Sequence, residues 1–551
     1  MNLDFVLNCD ILVVGTGIGG LVATKKAISK GKKVCLVTNG KFCGGASYFP
    51  LKGTLGIQGT DGEKDKELFY EDISKIGNKM ENPHMINTYI EDICDSISSL
   101  EEIGFEPWLR NDKRPACFAK YPRNIYLIKD WDKARQKAKE IFGKLENLEI
   151  IEDSSILKIL KDNDKIMGAV FQKNKKFFAI NSPVVIMATG GVAGNFKHKL
   201  YPEEITGAGH IVALDAGAKA QNMEFIQFIP AFLKPKYNTL FGEHTAKYCL
   251  GMYSLDKKLI LDGVNSPEYK DLWIERSGYA PFSFDFKSHL IDLKMVEFDD
   301  EKNQGVILKY SEALYKDEGE FYRVYLDWLK NTMGIDMCHD EVVISPFAHS
   351  CNGGIKVNEN GKTDVDGLYA IGELSSAIEG ANRLGGNSVG GALVFGKRAV
   401  DDANIYLENY KNKIYSKEDF EEKFNSWLEE ISLNDKANKL STSEILETLK
   451  SITTKCAGIK RTKTSLEDGL KSIELLRNQY NIKENLDSNS IETYLRLQLS
   501  KMLIKSMLTR EESRGAHYRE DFPYTLDKTY KIIISRKNNE FILEKEYLKW
   551  I

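Results

Sequence analysis

The sequence predicts an α/β fold made of a Rossmann-like dinucleotide-binding domain, an inserted α+β capping domain and a C-terminal helical domain. A β–turn–α–β pattern opens the chain, with an apolar run at 11–14, a glycine-rich turn, a helix over 21–29 and a strand over 33–37. Single hydrophobic cores stop growing at about 250–300 residues. The chain has 551 residues, so we expect two or three domains. Between 223 and 340 the chain is rich in aromatic residues and lysine and has little regular period, so we expect an insertion there.

Three glycines in the first turn have separate physical roles. Gly15 permits the tight turn, Gly17 lets the backbone approach a pyrophosphate, and Gly20 lets the helix pack close to the strand. The N-terminus of the helix then offers unpaired N–H groups and a positive dipole end to the phosphates. This context predicts a dinucleotide site, and the alternative is a glycine-rich turn that binds no ligand.

The second strand lacks the acid that usually binds the ribose hydroxyls of a dinucleotide. It ends in Thr38-Asn39 instead. Because a hydroxyl can still form a hydrogen bond, we expect Thr38 to serve here, and NAD is less favoured as the primary ligand.

The remaining pattern divides the chain into four parts. We expect 1–222 and 341–412 to form the nucleotide-binding domain, 223–340 the capping domain, 413–523 the helical domain, and 524–551 a tail that adds a strand to the core. Within the first part, Leu148 to Phe178 is predicted to be a small antiparallel sheet with turns at Asp162-Asn-Asp and Lys173-Asn-Lys.

Composition argues against several classes of protein. A net charge of −4 gives no reason to expect a nucleic-acid partner. The nine cysteines include no C-x-x-C pair, so we expect no disulfide framework, no zinc or iron–sulfur site on this chain, and no metal ligands. No apolar stretch approaches the about 18 residues of a membrane span, and the cytoplasm is the expected compartment.

More specific motifs follow, in one order along nearly the whole chain. They are Ala188-Thr-Gly-Gly191, Met223-Glu-Phe-Ile-Gln-Phe228, His349-Ser-Cys-Asn-Gly-Gly-Ile355, Gly367-Leu-Tyr-Ala-Ile-Gly-Glu373, Gly380-Ala-Asn-Arg-Leu-Gly-Gly-Asn-Ser388, Val394-Phe-Gly396, Glu512-Ser-Arg-Gly-Ala-His517 and Asp521-Phe-Pro523. The chain thereby resembles the flavoprotein family of succinate dehydrogenase, fumarate reductase and L-aspartate oxidase.

The resemblance implies that the dinucleotide is FAD. It suggests roles for Glu373 at the ribityl or ribose hydroxyls, and for Asn387 and Ser388 as caps of a helix that points at the flavin and stabilises its reduced form. In some members of this family a histidine near position 47 attaches FAD covalently. This chain has none there, so the resemblance implies that FAD is bound non-covalently. The full set of expected FAD-binding residues is Gly15, Gly17, Gly20, Thr38, Ala46, Ser47, Gly53, Thr189, Gly190, Glu373, Asn387 and Ser388.

The resemblance also implies a site for a small carboxylate substrate. Arg383 is expected to clamp a carboxylate, and His349 to donate a hydrogen bond or proton beside it. Family members also bind the substrate through a Thr-Glu pair, of which only the glutamate, Glu243, is present here. His289, or else Lys287, could donate a proton.

Further family positions are changed. Ile229 replaces a histidine, and the segment that normally holds the general-acid arginine, 284–289, contains no arginine. A proton donor contributes about 10²–10⁴-fold in rate. Either the donor has moved, or the substrate is less symmetric, with one carboxylate on Arg383 and an apolar part against Ile229, Phe284 and Phe286; the second is favoured.

Three functions remain open. The first is an oxidoreductase that transfers hydride at a C–C or C–N bond beside a carboxylate, with L-aspartate oxidase as the nearest template. The second is a fumarate reductase-like subunit fed by a separate electron-transfer protein. The third is a flavin-binding protein that has no turnover of its own.

Overall fold

The computed structural model describes residues 1–112, 114–298, 305–410, 413–432, 440–483 and 489–548. Its α-helices are α1 Ile18–Ser29, α2 Glu63–Gly77, α3 Pro83–Ile97, α4 Ser99–Glu102, α5 Trp131–Phe142, α6 Ala208–Asp215, α7 Lys270–Arg276, α8 His289–Phe298, α9 Glu320–Trp328, α10 Asn387–Glu408, α11 Lys417–Ser432, α12 Thr442–Ala457, α13 Lys463–Arg477 and α14 Ser490–Thr509.

The β-strands are numbered in the same chain order. They are β1 Val6–Asn8, β2 Ile11–Val14, β3 Val34–Val37, β4 Leu55–Gly59, β5 Trp108–Leu109, β6 Asn124–Ile128, β7 Leu148–Ile151, β8 Ser155–Asp162, β9 Lys165–Lys173, β10 Lys176–Asn181, β11 Val184–Met187, β12 Ala220–Gln221, β13 Ile226–Lys234, β14 Thr239–Leu240, β15 Cys249–Tyr253, β16 Leu259–Asp262, β17 Val306–Tyr310, β18 Val342–Cys351, β19 Gly354–Lys356, β20 Leu368–Ala370, β21 Ser375–Ser376, β22 Tyr530–Lys537 and β23 Glu540–Tyr547.

The nucleotide-binding sheet is parallel throughout, in the order β20-β11-β2-β3-β7. Its central strands are buried along their whole length, as their continuous apolar sequences require in a sheet covered on both faces. Helices α1 and α10 pack against each other on one face. The predicted β–turn–α–β opening is confirmed.

The predicted antiparallel sheet over 148–178 is only partly right. Strands β8, β9 and β10 are antiparallel, with Asn163 and Asn174 in left-handed conformation at the two predicted turns. Strand β7 instead joins the parallel sheet beside β3. The sequence of β7 alone does not distinguish these partners, because a short apolar strand fits either sheet.

The capping region contains a six-stranded sheet in the order β14-β13-β18-β17-β15-β16. Strand β18 begins where the nucleotide-binding domain is expected to resume, but it pairs with β13 and β17 in this sheet. Its far end, at Cys351, leads into β19 and back to the nucleotide-binding side. His349 therefore lies near the end of β18 that leads from the capping sheet toward the nucleotide-binding domain.

Helices α11–α14 follow, and α14 is buried along most of its length. The tail returns to the core as expected, because β22 pairs with β12 in the five-stranded sheet β21-β19-β12-β22-β23. None of the helices in the described ranges is both long and apolar enough to cross a membrane.

Candidate active site

A cleft of about 290 Å³ lies at the carboxyl ends of the parallel strands. Gly15, Thr38, Ala188 and Ile371 line it, each directly after one of these strands. This edge is where open α/β sheets bind dinucleotides. The capping sheet closes the other side with residues of β13, β14 and β18.

The glycines of the first turn pack as their predicted roles require. Gly15 has a φ of +113°, and a Cβ there would lie 2.2 Å from the Ala188 carbonyl oxygen. A Cβ on Gly20 would lie 1.9 Å from the Gly15 carbonyl oxygen. Gly15 and Gly17 line the cleft, whereas Gly20 acts behind it by letting α1 approach the strand.

Most of the expected FAD-binding residues meet in this cleft. Those that line it are Gly15, Gly17, Thr38, Ala46, Ser47, Thr189, Gly190, Glu373 and Ser388. Gly53 and Asn387 lie outside the lining. A Cβ on Gly53 would lie 3.0 Å from the Trp328 ring, and buried Asn387 accepts a hydrogen bond from the Tyr89 hydroxyl at 3.4 Å.

The expected capping of α10 by Asn387 and Ser388 is wrong. The helix begins at Asn387, its N-cap is Gly386 with a φ of +89°, and no side chain caps it. Glycine is required because this left-handed residue lies against the Gln58 backbone, with its Cβ position 3.1 Å from the Gln58 nitrogen. Ser388 still faces the cleft from the first turn of α10.

Glu373 is held at the cleft by Tyr201 and by the backbone of β18. The Tyr201 hydroxyl donates to Glu373 Oε2 at 2.5 Å, and the Cys351 N–H donates to Oε1 at 3.2 Å. A Cβ on Gly191 would lie 1.9 Å from Oε1, so the approach requires glycine. Burial raises the pKa of Glu373 above its ordinary value.

Unpaired polar atoms indicate that the cleft holds a polar ligand. Thr189 Oγ1, His349 Nδ1 and Arg383 Nε are buried without a hydrogen-bond partner, and all three side chains line the cleft. Buried polar groups of this kind are normally satisfied by a ligand or water. Together with the glycine turn, they fit a bound FAD.

Arg383 is available to bind an anion. Its Nη2 donates to the neutral Gln227 Oε1 at 3.2 Å, and Gln227 in turn donates to Asn382 Oδ1 at 2.6 Å. Within the described part of the chain, no carboxylate oxygen lies within 4.0 Å of the Arg383 side-chain nitrogens. The guanidinium is therefore oriented but not neutralised by an ion pair.

The C-terminal signature positions the loop that carries Arg383. The Ala516 N–H donates to the Ala381 carbonyl at 2.9 Å, and Gly515 packs against the same residue so closely that a Cβ would lie 2.4 Å from that carbonyl oxygen. His517 is fully buried and shares a hydrogen bond with Arg461 at 2.6 Å. These motif residues are structural supports of the cleft.

His349 lies beside Tyr201, with 5.4 Å between the ring centres. Its pKa lies well below the ordinary histidine value because of burial and the nearby charges of Lys52 and Arg383. The imidazole is therefore neutral near pH 7 and suited to hydrogen bonding.

Lys52 is a functional candidate that sequence reasoning missed. It is buried in the cleft, with its Nζ 4.1 Å from the centre of the Tyr201 ring. Burial, aided by the charge of Arg383, lowers the pKa of Lys52 to about 7, although Glu373 opposes the shift. The only signal was a lysine within an apolar stretch, Phe49-Pro-Leu-Lys52, near the glycine loop.

Two expected catalytic residues are not found among the described residues that line the cleft. Glu243 is buried and accepts a hydrogen bond from Cys117 Sγ at 3.1 Å. His289 Nδ1 donates to the Phe286 carbonyl at 2.6 Å, and the ring packs against Phe284. Lys287 is exposed.

The apolar wall of the cleft differs from the expected one. It contains Ile229, as expected, together with Leu200 and Leu240. Phe284 and Phe286 belong to other clusters and are not part of the lining.

Comparison with known proteins agrees with this geometry. A family model for an FAD binding domain matches residues 10–247 and 326–389, and one for the C-terminal part of fumarate reductase flavoprotein matches 446–548. The chain belongs to this flavoprotein family. It is 26% identical to one subunit of the fumarate reductase (CoM/CoB) of Methanothermobacter marburgensis, over 96% of this chain and 97% of that protein.

The chain is also similar to an L-aspartate oxidase, and its fold to that of a solved Sdh1 structure. Identity with the L-aspartate oxidase of Clostridium perfringens is 28%, over 74% of this chain and 90% of that protein. The fold resembles that of Mycobacterium smegmatis Sdh1 in complex with UQ1, with a TM-score of 0.81 and 21% identity over 99% and 95% of the two chains. The protein is therefore an FAD-dependent oxidoreductase of the fumarate reductase, succinate dehydrogenase and L-aspartate oxidase type.

Proposed function

We propose that this flavoprotein reduces or forms a C–C double bond beside a single carboxylate, in a substrate whose other end is apolar. The observation that carries the proposal is the Arg383 guanidinium, buried at Nε without a partner and held by the neutral Gln227. It is available to one carboxylate, for which a bidentate contact is the preferred geometry. Leu200, Ile229 and Leu240 face the same cleft and suit an apolar substituent.

Lys52 is proposed as the proton donor that replaces the missing arginine. It lines the cleft with Arg383 and His349, and its pKa of about 7 suits proton exchange near neutral pH. In the reductive direction its ammonium delivers a proton to the alkene carbon that bears the carboxylate. In the oxidative direction the neutral amine removes that proton. His349, kept neutral, donates a hydrogen bond to the bound carboxylate.

The cofactor's part follows from the residues that would hold it. Gly15 and Gly17 would hold the pyrophosphate, Glu373 the ribityl hydroxyls, and the N-terminal turn of α10 the flavin edge. When bound, FAD supplies or accepts the hydride equivalent. We propose that it is held non-covalently, because Ser47 lies where a covalent histidine would be expected.

Anaerobic flavin spectroscopy tests the proposal. The purified protein is photoreduced and mixed with cinnamate, an unsaturated monocarboxylate with an apolar substituent, or with fumarate, and reoxidation is followed in the flavin band. We expect faster reoxidation by cinnamate. Faster reoxidation by fumarate would contradict the single-carboxylate site, and failure of both compounds, together with a panel of related monocarboxylates, would contradict the reaction.

A second candidate is a flavoprotein that exchanges electrons with a separate protein. It is favoured by the full-length similarity to one subunit of a fumarate reductase. Slow reoxidation of the reduced flavin by oxygen would support this candidate, whereas rapid reoxidation would favour an oxidase that works alone.

A further inference from the structure

A buried carboxylate from the helical region lies at the end of β3, where the usual ribose-binding acid is absent. Thr38 and Asn39 follow β3 and line the cleft, and Glu492 of α14 lines the same end together with Ser154 and Ser155. Glu492 is only 7% exposed. Glu492 thus brings a carboxylate from a distant part of the sequence to the position where the nucleotide-binding domain has no acid.

One oxygen of Glu492 is engaged and the other is available. Oε2 accepts from the Ser155 hydroxyl at 2.7 Å and from Asn39 Nδ2 at 3.5 Å. Oε1 accepts no hydrogen bond from the residues that the structure describes. A ribose diol is a pair of hydroxyl donors, so an oriented carboxylate with a free oxygen is the matching acceptor.

The helix that carries Glu492 is fixed relative to the parallel sheet. One turn further on, Arg496 donates to the Gly194 carbonyl at 2.7 Å and to Asn195 Oδ1 at 3.0 Å. Asn195 Nδ2 returns a hydrogen bond to the Arg496 carbonyl at 2.9 Å. These buried contacts hold the first turn of α14 in place at the cleft.

We propose that Glu492 binds the adenosine ribose hydroxyls of FAD, so that the helical region completes the cofactor site. The carboxylate takes the role of the acid missing after β3, and Ser155 and Asn39 orient it. FAD then links the nucleotide-binding and helical regions. The proposal depends on FAD binding and is independent of the substrate.

Equilibrium binding to the full-length apoprotein tests this role, with quenching of flavin fluorescence as the readout. Hydrogen bonds to a charged group are worth enough that Glu492→Gln should raise the Kd of FAD about 10- to 100-fold. The Kd of FMN, which lacks adenosine, should stay the same. Glu511→Gln is the matched control, because Glu511 lies two residues beyond the end of α14 and its side chain is 60% exposed.

A cofactor analogue separates direct contact from an indirect effect on folding. FAD that lacks the 2′-hydroxyl of its adenosine ribose should bind wild type more weakly than FAD does, and Glu492→Gln should discriminate between the two much less. An unchanged FAD affinity in Glu492→Gln, or equal losses for FAD and FMN, would overturn the proposal. If Glu492→Gln does not fold, equal binding of FAD and the analogue to wild type would overturn it instead.

Discussion

The ammonium of Lys52 lies over the ring of Tyr201, 4.1 Å from its centre, while the Tyr201 hydroxyl donates to Glu373. The aromatic face stabilises the cation, and burial together with Arg383 opposes it. The balance leaves a lysine that can change protonation near pH 7 within the cleft. A proton donor in this place would compensate for the arginine that the sequence lacks.

Replacing Lys52 by Met should slow reoxidation of the reduced flavin by its substrate about 10²–10⁴-fold, the usual contribution of a proton donor. In wild type the rate should fall as the pH rises through about 7, because only the protonated lysine donates. The variant should lose this pH dependence. Stopped-flow rates between pH 5.5 and 9 provide the measurement.

Lys236→Met is the control for this change, because Lys236 is exposed. It should keep both the rate and the pH profile of wild type. If the rate of the Lys52→Met variant still falls as the pH rises through about 7, another group causes this pH dependence.

Arg383→Lys should raise KM far more than it lowers the affinity for FAD. The lysine keeps the charge but cannot reproduce the bidentate contact or the hydrogen bond to Gln227. Loss of a buried charged contact costs about 2–5 kcal/mol, so kcat/KM should fall at least 30-fold. Steady-state kinetics measures this, and an unchanged flavin spectrum would show that the cofactor site is intact; an unchanged KM would rule out carboxylate binding by Arg383.

Ile229→His should shift the preference of the cleft toward dicarboxylates. The side chain lies in the apolar wall, and an imidazole there would supply a donor to a second carboxylate while reducing apolar contact. We expect the ratio of kcat/KM for fumarate to that for cinnamate to rise about 10- to 100-fold, since one charged hydrogen bond is worth about 1.5–3 kcal/mol. Ile229→Val is the control and should leave the ratio near its wild-type value; a ratio unchanged by histidine would mean that this wall does not select the substrate.

Glu224→Ala should destabilise the protein by about 3–5 kcal/mol, the cost of leaving a buried charge without its partner. Glu224 Oε1 lies 2.6 Å from Arg510 Nε, and both side chains are fully buried. Denaturant unfolding followed by tryptophan fluorescence measures the loss. Glu511→Ala removes an exposed carboxylate next to Arg510 and should change stability by less than about 0.5 kcal/mol. Equal effects of the two variants would contradict a stabilising role for the buried Glu224–Arg510 pair.

Acid precipitation should release all of the flavin into the supernatant. Ser47, whose hydroxyl accepts a hydrogen bond from the Ile18 N–H at 3.1 Å, has no imidazole nitrogen to bond to the flavin. Absorbance of the supernatant at the flavin band, compared with the protein-bound total, is the measurement. Yellow colour that stays in the pellet after washing would show a covalent link at another residue.

The sequence by itself determined the features that depend on neighbouring residues. The turn at Gly15 and Gly17 follows from local strand, glycine and helix patterns, and the structure forms it as predicted. The motifs around His349 and Arg383 identified the family, and both side chains do face the cleft. In these cases the functional residues lie within the sequence motif that predicts them.

Only the tertiary structure decided which distant residues complete the site. Lys52 and Glu492 belong to no sequence motif. They line the cleft because a loop and a helix pack there against distant parts of the chain. Packing also put β18 in the capping sheet, and it left Glu243 and His289 out of the cleft lining. A local pattern specifies conformation, whereas burial, charge and proximity depend on contacts between segments far apart in the chain.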